Sequence, residues 1–277
     1  MEARLDTLES GQLSLKEKIV KHDKKLRDLE ATKNTTIANN PIIPNRNSYF
    51  IGRQEQLQNI KDALMAPRKN QTVAICGLGG VGKTSLTIQA VYKNKDSFPG
   101  GVYWLTADSS KWDSTIKASL FSLGKTIGVV DNDTDDSRLA SIVIDHLQKK
   151  QKKFLLVIDN FDSAEMSVLA RKLVSGSWIK QSQVSMILTS RLDKENFPEL
   201  ATEPFLMDLK SFELEEGVDF LRKRTERVHD EMDARDVVLE LGGLPLALDQ
   251  AAAYLKASKE KLPGYLKKLR KKKLELL

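Results

Sequence analysis

At 277 residues, 40% hydrophobic and 30% charged, the chain has the composition of a folded globular protein of about two domains, which excludes wholesale disorder. No apolar run approaches the roughly 20 residues of a membrane-spanning helix, and the opening MEARLDTLES lacks the apolar core of a secretory signal, so a cytoplasmic location and no membrane span are expected. The net charge of +6 is local, because residues 256–277 carry nine basic and two acidic side chains and the other 255 residues sum to −1, so nucleic acid is not the expected partner.

Residues 1–33 read as one polar helix. Leu5, Gln12, Ile19 and Leu26 recur at heptad spacing, as do Leu8, Leu15, His22 and Leu29. Six of these eight positions are apolar, which is the seam of a coiled coil. Gly11, Gln12 and His22 dilute it, so self-association, docking on the chain's own body and a frayed helix all stand as readings. Residues 34–48 hold Pro41, Pro44 and five Asn and read as a linker.

Beyond the linker, apolar runs alternate with helical patterns. Residues 72–76, 102–105, 154–158 and 184–188 read as strands, with 204–209 as a fifth. Helices are expected over 84–92, 112–127, 137–150 and 164–174. This order predicts an α/β fold with a parallel sheet covered on both faces. From residue 213 the strand signal stops, and helices over 215–224 and 234–241 predict a small all-α domain. The expected parts are therefore a helix over 1–33, a linker over 34–48, an α/β domain over 49–210 and a helical domain with a basic tail over 211–277.

The stretch Gly77, Leu78, Gly79, Gly80, Val81, Gly82, Lys83, Thr84 matches G-x-x-x-x-G-K-[ST], following a predicted strand and opening a predicted helix. Glycines let the backbone curl with its N–H groups around phosphates, and the helix N-terminus adds partial positive charge. Lys83 can reach the β- and γ-phosphates, and the Thr84 hydroxyl can ligate Mg²⁺. Strand 154–158 runs into Asp159, whose carboxylate is placed at the same sheet edge to hold the metal. Asn160 follows in place of a second acid, and an amide cannot serve as a general base. Strand 184–188 continues to Thr189, Ser190 and Arg191, where a guanidinium can read a γ-phosphate. Candidate catalytic residues are thus Lys83, Asp159 and Arg191.

Other features yield to plainer readings. Asp131, Asp133 and Asp135 imitate the start of a calcium loop, but Asp136 and Ile142 stand where Gly and Glu belong, so a helix cap is expected. Cys76, the single cysteine, reads as a small core residue, and no His lies at zinc-ligand spacing. Asn94-Lys95-Asp96 is one residue short of a guanine reader, which favours adenine.

In this order the motifs resemble the NB-ARC nucleotide-binding proteins of the STAND class of P-loop ATPases. Phe50, Ile51, Gly52 and Arg53 are similar to that family's leading segment, which implies that they line the adenine site. The phosphate loop with Ser85, the strand to Asp159 and the Thr189-Ser190-Arg191 sensor follow. Gly243-Leu244-Pro245-Leu246-Ala247-Leu248 matches the family's GLPLAL motif, implying that Pro245 contacts the adenine. Family membership implies ATP/ADP and Mg²⁺ as ligands, weak hydrolysis, protein effectors, a role in signal transduction and innate immunity, and self-association through residues 1–33 or the nucleotide-binding domain. Gln54 departs from the family pattern, as does Asn160. The winged-helix domain and sensor repeats of other members do not appear in this sequence, so the resemblance implies a module truncated after its first helical domain. The alternatives are a turnover ATPase of AAA-like type and a coiled-coil adaptor or decoy whose nucleotide site is structural.

Overall fold

The structure, a computed structural model, describes residues 43–66, 71–107, 112–162, 168–181, 183–193, 195, 197–227, 230–258 and 260–275. The heptad seam of residues 1–33 lies outside the described residues. Residues 42–277 form one compact unit.

In that unit, α1 (Gln54–Met65) precedes β1 (Thr72–Cys76) and α2 (Lys83–Asn94). Then come β2 (Val102–Thr106), α3 (Trp112–Thr126), α4 (Asp136–Gln148), β3 (Phe154–Asp159), α5 (Val168–Val174), α6 (Trp178–Gln181), β4 (Val184–Ser190) and β5 (Phe205–Asp208). The sheet is parallel throughout and runs β2-β3-β4-β1-β5. Strands buried on both faces need near-continuous apolar sequence. FLLVID of β3 is buried at every position, with Leu156 and Ile158 in one core and Leu155 and Val157 in the other. The order of strands matters for the site. β4 lies between β1 and β3, so the loops leaving β1, β4 and β3 meet at one sheet edge.

Four helices follow: α7 (Leu214–Thr225), α8 (Glu231–Glu240), α9 (Pro245–Ser258) and α10 (Leu262–Glu275). They share a separate core of Val218, Leu221, Val237, Leu248, Leu255 and Leu262, against which Tyr49 and Ile51 pack. The basic tail is a docked amphipathic helix. Leu262 and Leu266 of α10 are buried, and Arg270 donates to Glu240 at 2.9 Å. Glu213 and Glu216 form a capping box at the start of α7.

The strands lie where the apolar runs place them, and the Asp-rich stretch does end in a cap: Asp135 accepts from Ser137 N at the start of α4. The structure adds detail to two expectations. The helix expected over 164–174 is described from Val168, while 163–167 lie outside the described residues. Residues 43–48, read as linker, carry neither helix nor strand, yet Arg46 is fastened to α2. Its Nη2 donates to Gln89 Oε1 at 2.9 Å and its guanidinium lies 5.5 Å from the Tyr92 ring.

Candidate functional site

The phosphate loop leaves β1 at Cys76 and enters α2 at Lys83, with Gly82 as the N-cap. Gly80 has φ +80°, and a Cβ there would stand 2.9 Å from Leu246 Cβ, so the loop's curl and its close approach to α9 both require glycine. Lys83 is buried, and its Nζ donates to the carbonyls of Gly77 at 2.8 Å and Leu78 at 2.9 Å. Burial pushes its pKa down; nearby Asp162 opposes that fall, and Arg191 adds to it.

Thr84 Oγ1 donates to Asp159 Oδ1 at 2.9 Å, which joins the start of α2 to the end of β3. Asp159 also accepts from Thr189 Oγ1 at 2.6 Å. Burial pushes the carboxyl's pKa up, and the two hydroxyl hydrogen bonds and Lys83 pull against that rise. Asn160 sits in the left-handed region at φ 64°, and its N–H donates to Thr189 Oγ1 at 2.9 Å. Arg191 meets Asp162: its backbone N–H donates to Oδ1 at 2.6 Å and its Nε to Oδ2 at 2.7 Å.

Lys83, Thr84, Asn160, Asp162 and Arg191 face a cleft of about 810 Å³ between the sheet edge and the helices α7 and α9. Of the residues singled out from sequence, Phe50, Ile51, Arg53, Gly79, Gly80, Val81, Gly82, Lys83, Thr84, Ser85, Arg191 and Pro245 line it. Gly52, Gly77, Leu78 and Asp159 are not among the lining residues. Leu78 is 70% exposed, and Asp159 stands behind Thr84. Arg53 lines the cleft, and its guanidinium also holds the protein. It donates to Lys210 O at 2.7 Å and lies 4.8 Å from the Phe212 ring centroid. α9 touches the phosphate loop directly, since Leu246 N–H donates to Gly80 O at 3.1 Å.

The NB-ARC domain profile matches residues 53–231, more than half of the chain. The chain belongs to the NB-ARC family. A nucleotide-binding leucine-rich repeat (NLR)-like protein of Hyaloscypha variabilis is 29% identical over 252 residues, covering 80% of this chain and 24% of that protein. Regulatory protein AfsR of Streptomyces coelicolor is 27% identical over 261 residues, covering 89% and 25%. The chain therefore spans about a quarter of the length of these curated relatives. Among solved structures, the Aeropyrum pernix ORC1 protein in complex with DNA shares the fold with a TM-score of 0.58 at 14% identity, covering 86% of this chain and 69% of that one.

The NB-ARC cleft also holds side chains that sequence reasoning missed. Arg224 of α7 lies 4.3 Å from the Tyr49 ring centroid, and its Nε donates to Asp249 of α9 at 2.6 Å. All three line the cleft. They come from a turn ahead of α1 and from two different helices, with no spacing rule between them. Asp162 carried a weaker signal, an acid three residues after Asp159 in the loop that leaves a strand.

Proposed function

We propose that this NB-ARC chain binds ADP and ATP with Mg²⁺ and works as a signalling or assembly switch that hydrolyses ATP slowly. One observation carries the reading: Lys83, Thr84, Asp159 and Arg191, from three different sequence regions, belong to one hydrogen-bonded sheet edge beside one cleft. The residues fit the ligands. Lys83 is a buried cation whose donors are turned onto loop carbonyls, positions from which an incoming phosphate can draw them. Thr84 and Asp159 offer hard oxygen donors side by side, the set Mg²⁺ takes. They would hold the ion, which would neutralise phosphate charge when bound.

Slow turnover follows from what surrounds the phosphate end. Asn160 is an amide and accepts no proton at neutral pH. Asp162 has both carboxylate oxygens engaged by Arg191. The NLR-like and regulatory descriptions of its relatives support a signalling role, and in this reading its setting is innate immunity and its partners are protein effectors. In this reading the chain acts in the cytoplasm, residues 1–33 or the nucleotide-binding region carry self-association, and Pro245, Phe50 and Ile51 receive the base.

Calorimetric titration of the full chain with ADP and ATP, with and without Mg²⁺, tests the proposal. Lys83→Ala is expected to weaken both nucleotides by about 10- to 100-fold, the worth of a charge-assisted hydrogen bond, with the fold kept by circular dichroism. Unchanged affinity in Lys83→Ala would overturn it.

A further inference from the structure

The ends of β3 and β4 are stitched together by more than their backbone ladder. Phe161 N–H donates to Thr189 O at 2.7 Å, Asn160 N–H to Thr189 Oγ1 at 2.9 Å, and Thr189 Oγ1 to Asp159 Oδ1 at 2.6 Å. The last stitch is Asp162, whose two oxygens take the backbone N–H and the Nε of Arg191. The Asp162 side chain is 6% exposed, while Arg191 is 55% exposed. A buried carboxylate with both oxygens satisfied by one residue is a fixed anchor, and the exposed partner is what it orients.

The same edge shows the cost of this arrangement. Asp162 lines the phosphate end of the cleft and adds negative charge where a polyanion has to lie. Taken alone, that charge opposes nucleotide, and a triphosphate more than a diphosphate. Its gain lies in geometry. A guanidinium is a planar fork of five donors, and holding its Nε edge fixes the direction of the whole plane, which an ammonium cannot reproduce. Fixing that plane in advance removes the ordering cost from the binding step.

We infer that Asp162 is a positioning residue for γ-phosphate recognition, holding Arg191 in the orientation from which it distinguishes ATP from ADP. The inference rests on the reading of Arg191 as the phosphate sensor and adds to it the group that aims it. It links that sensor to the metal side of the site, because the same stitched edge carries Asp159.

The sign of the effect separates this role from plain electrostatics. Removing a carboxylate from the cleft should raise ATP affinity if Asp162 acts only through charge, whereas loss of aim should lower it. The full chain is titrated with MgADP and MgATP in the wild type, Asp162→Ala, Asp162→Asn, Arg191→Ala, Arg191→Lys and the double Asp162→Ala/Arg191→Ala variant. Asp162→Ala is expected to lower ATP affinity about tenfold, near the worth of one charge-assisted hydrogen bond, with ADP changed less than about twofold. Asp162→Asn keeps the shape of the side chain should Ala fail to fold, and it also lowers the ATP:ADP ratio, because its amide nitrogen meets a donor. Arg191→Lys should lose the ratio as Arg191→Ala does, and adding Asp162→Ala to Arg191→Ala should bring no further loss, since only the repulsion of the carboxylate is then removed. A ratio that is unchanged or raised in both Asp162 variants overturns the inference, as does a full additional loss in the double variant. If Arg191→Ala lowers the ratio and Asp162→Ala does not, the inference alone fails. If Arg191→Ala leaves the ratio intact, the sensor reading fails and takes the inference with it.

Discussion

Phe212 and Gly243 are locked back to back. Phe212 N–H donates to Gly243 O at 3.0 Å, and a Cβ on Gly243 would stand 2.4 Å from Phe212 O. The contact ties the turn before α9 to the segment joining the sheet to α7. The Phe212 ring in turn lies under Arg53. Gly242 and Gly243 have almost the same φ, +62° and +63°, but nothing lies within 4 Å of a Cβ on Gly242.

That pair gives a controlled test. Ala at either position meets the left-handed strain of about 1–2 kcal/mol. Only Gly243→Ala also drives a methyl into a backbone carbonyl, which is expected to cost about 1–3 kcal/mol more. Urea unfolding of both variants should therefore rank Gly243→Ala well below Gly242→Ala. Equal stabilities would show that the close approach does not hold in solution.

Tyr103 predicts a crossing of two stability curves. Its phenol is 4% exposed, donates to Gly100 O at 2.9 Å, and burial pushes its pKa from 10.0 up to about 12. The fold favours the neutral phenol. The stability this contributes is fully present below pH 10 and is lost as pH rises towards 12, by about 2–3 kcal/mol in all. Tyr103→Phe should be less stable than wild type at pH 8 by about 0.5–1.5 kcal/mol, for the lost hydrogen bond. Across pH 10 to 12 the variant should overtake the wild type. A constant gap in denaturant midpoints over that range would contradict the assigned burial of the hydroxyl.

Much of this was legible in the chain. Strands buried on both faces leave uninterrupted runs such as FLLVI, and the phosphate loop binds through backbone that only its glycines allow, so both write themselves into local sequence. α1 was legible too but masked by the motif before it: Leu57, Ile60 and Leu64 are buried at helical spacing. What sequence alone did not disclose is long-range pairing. Arg224 and Asp249 lie 25 residues apart on different helices, and Arg191 and Asp162 lie 29 apart on different strand ends. Nothing in the local pattern says which acid a given arginine will meet, because that choice is made by strand order and helix packing.

Arg53 is expected to hold structure before it holds nucleotide. It is buried at 7% exposure, spans to Lys210 O, and burial lowers its pKa against the pull of Glu216 and Glu213. Arg53→Ala should cost about 1.5–3 kcal/mol of stability, the range for a hydrogen bond from a charged group. It should weaken ATP and ADP to the same degree, and Lys should not rescue it, since an ammonium cannot both stack on Phe212 and reach the carbonyl. Selective loss of one nucleotide in binding assays would move Arg53 from scaffold to ligand contact.

Asn160 offers the last test, because it separates binding from turnover. It lines the cleft one residue beyond Asp159, its φ of 64° is one that Asp also tolerates, and its backbone N–H already serves Thr189. Asn160→Asp therefore changes an amide to a carboxylate with little demand on the backbone. A carboxylate there can accept a proton from water, and a positioned base contributes about 10²- to 10⁴-fold where geometry is ideal. The added charge also repels the triphosphate. Steady-state phosphate release should rise by about tenfold or more, while ATP affinity falls and ADP affinity falls less. If release stays at the wild-type rate under saturating ATP, the proposed slow turnover does not come from the lack of a base at this position, and product release or closure of the cleft becomes the step to measure.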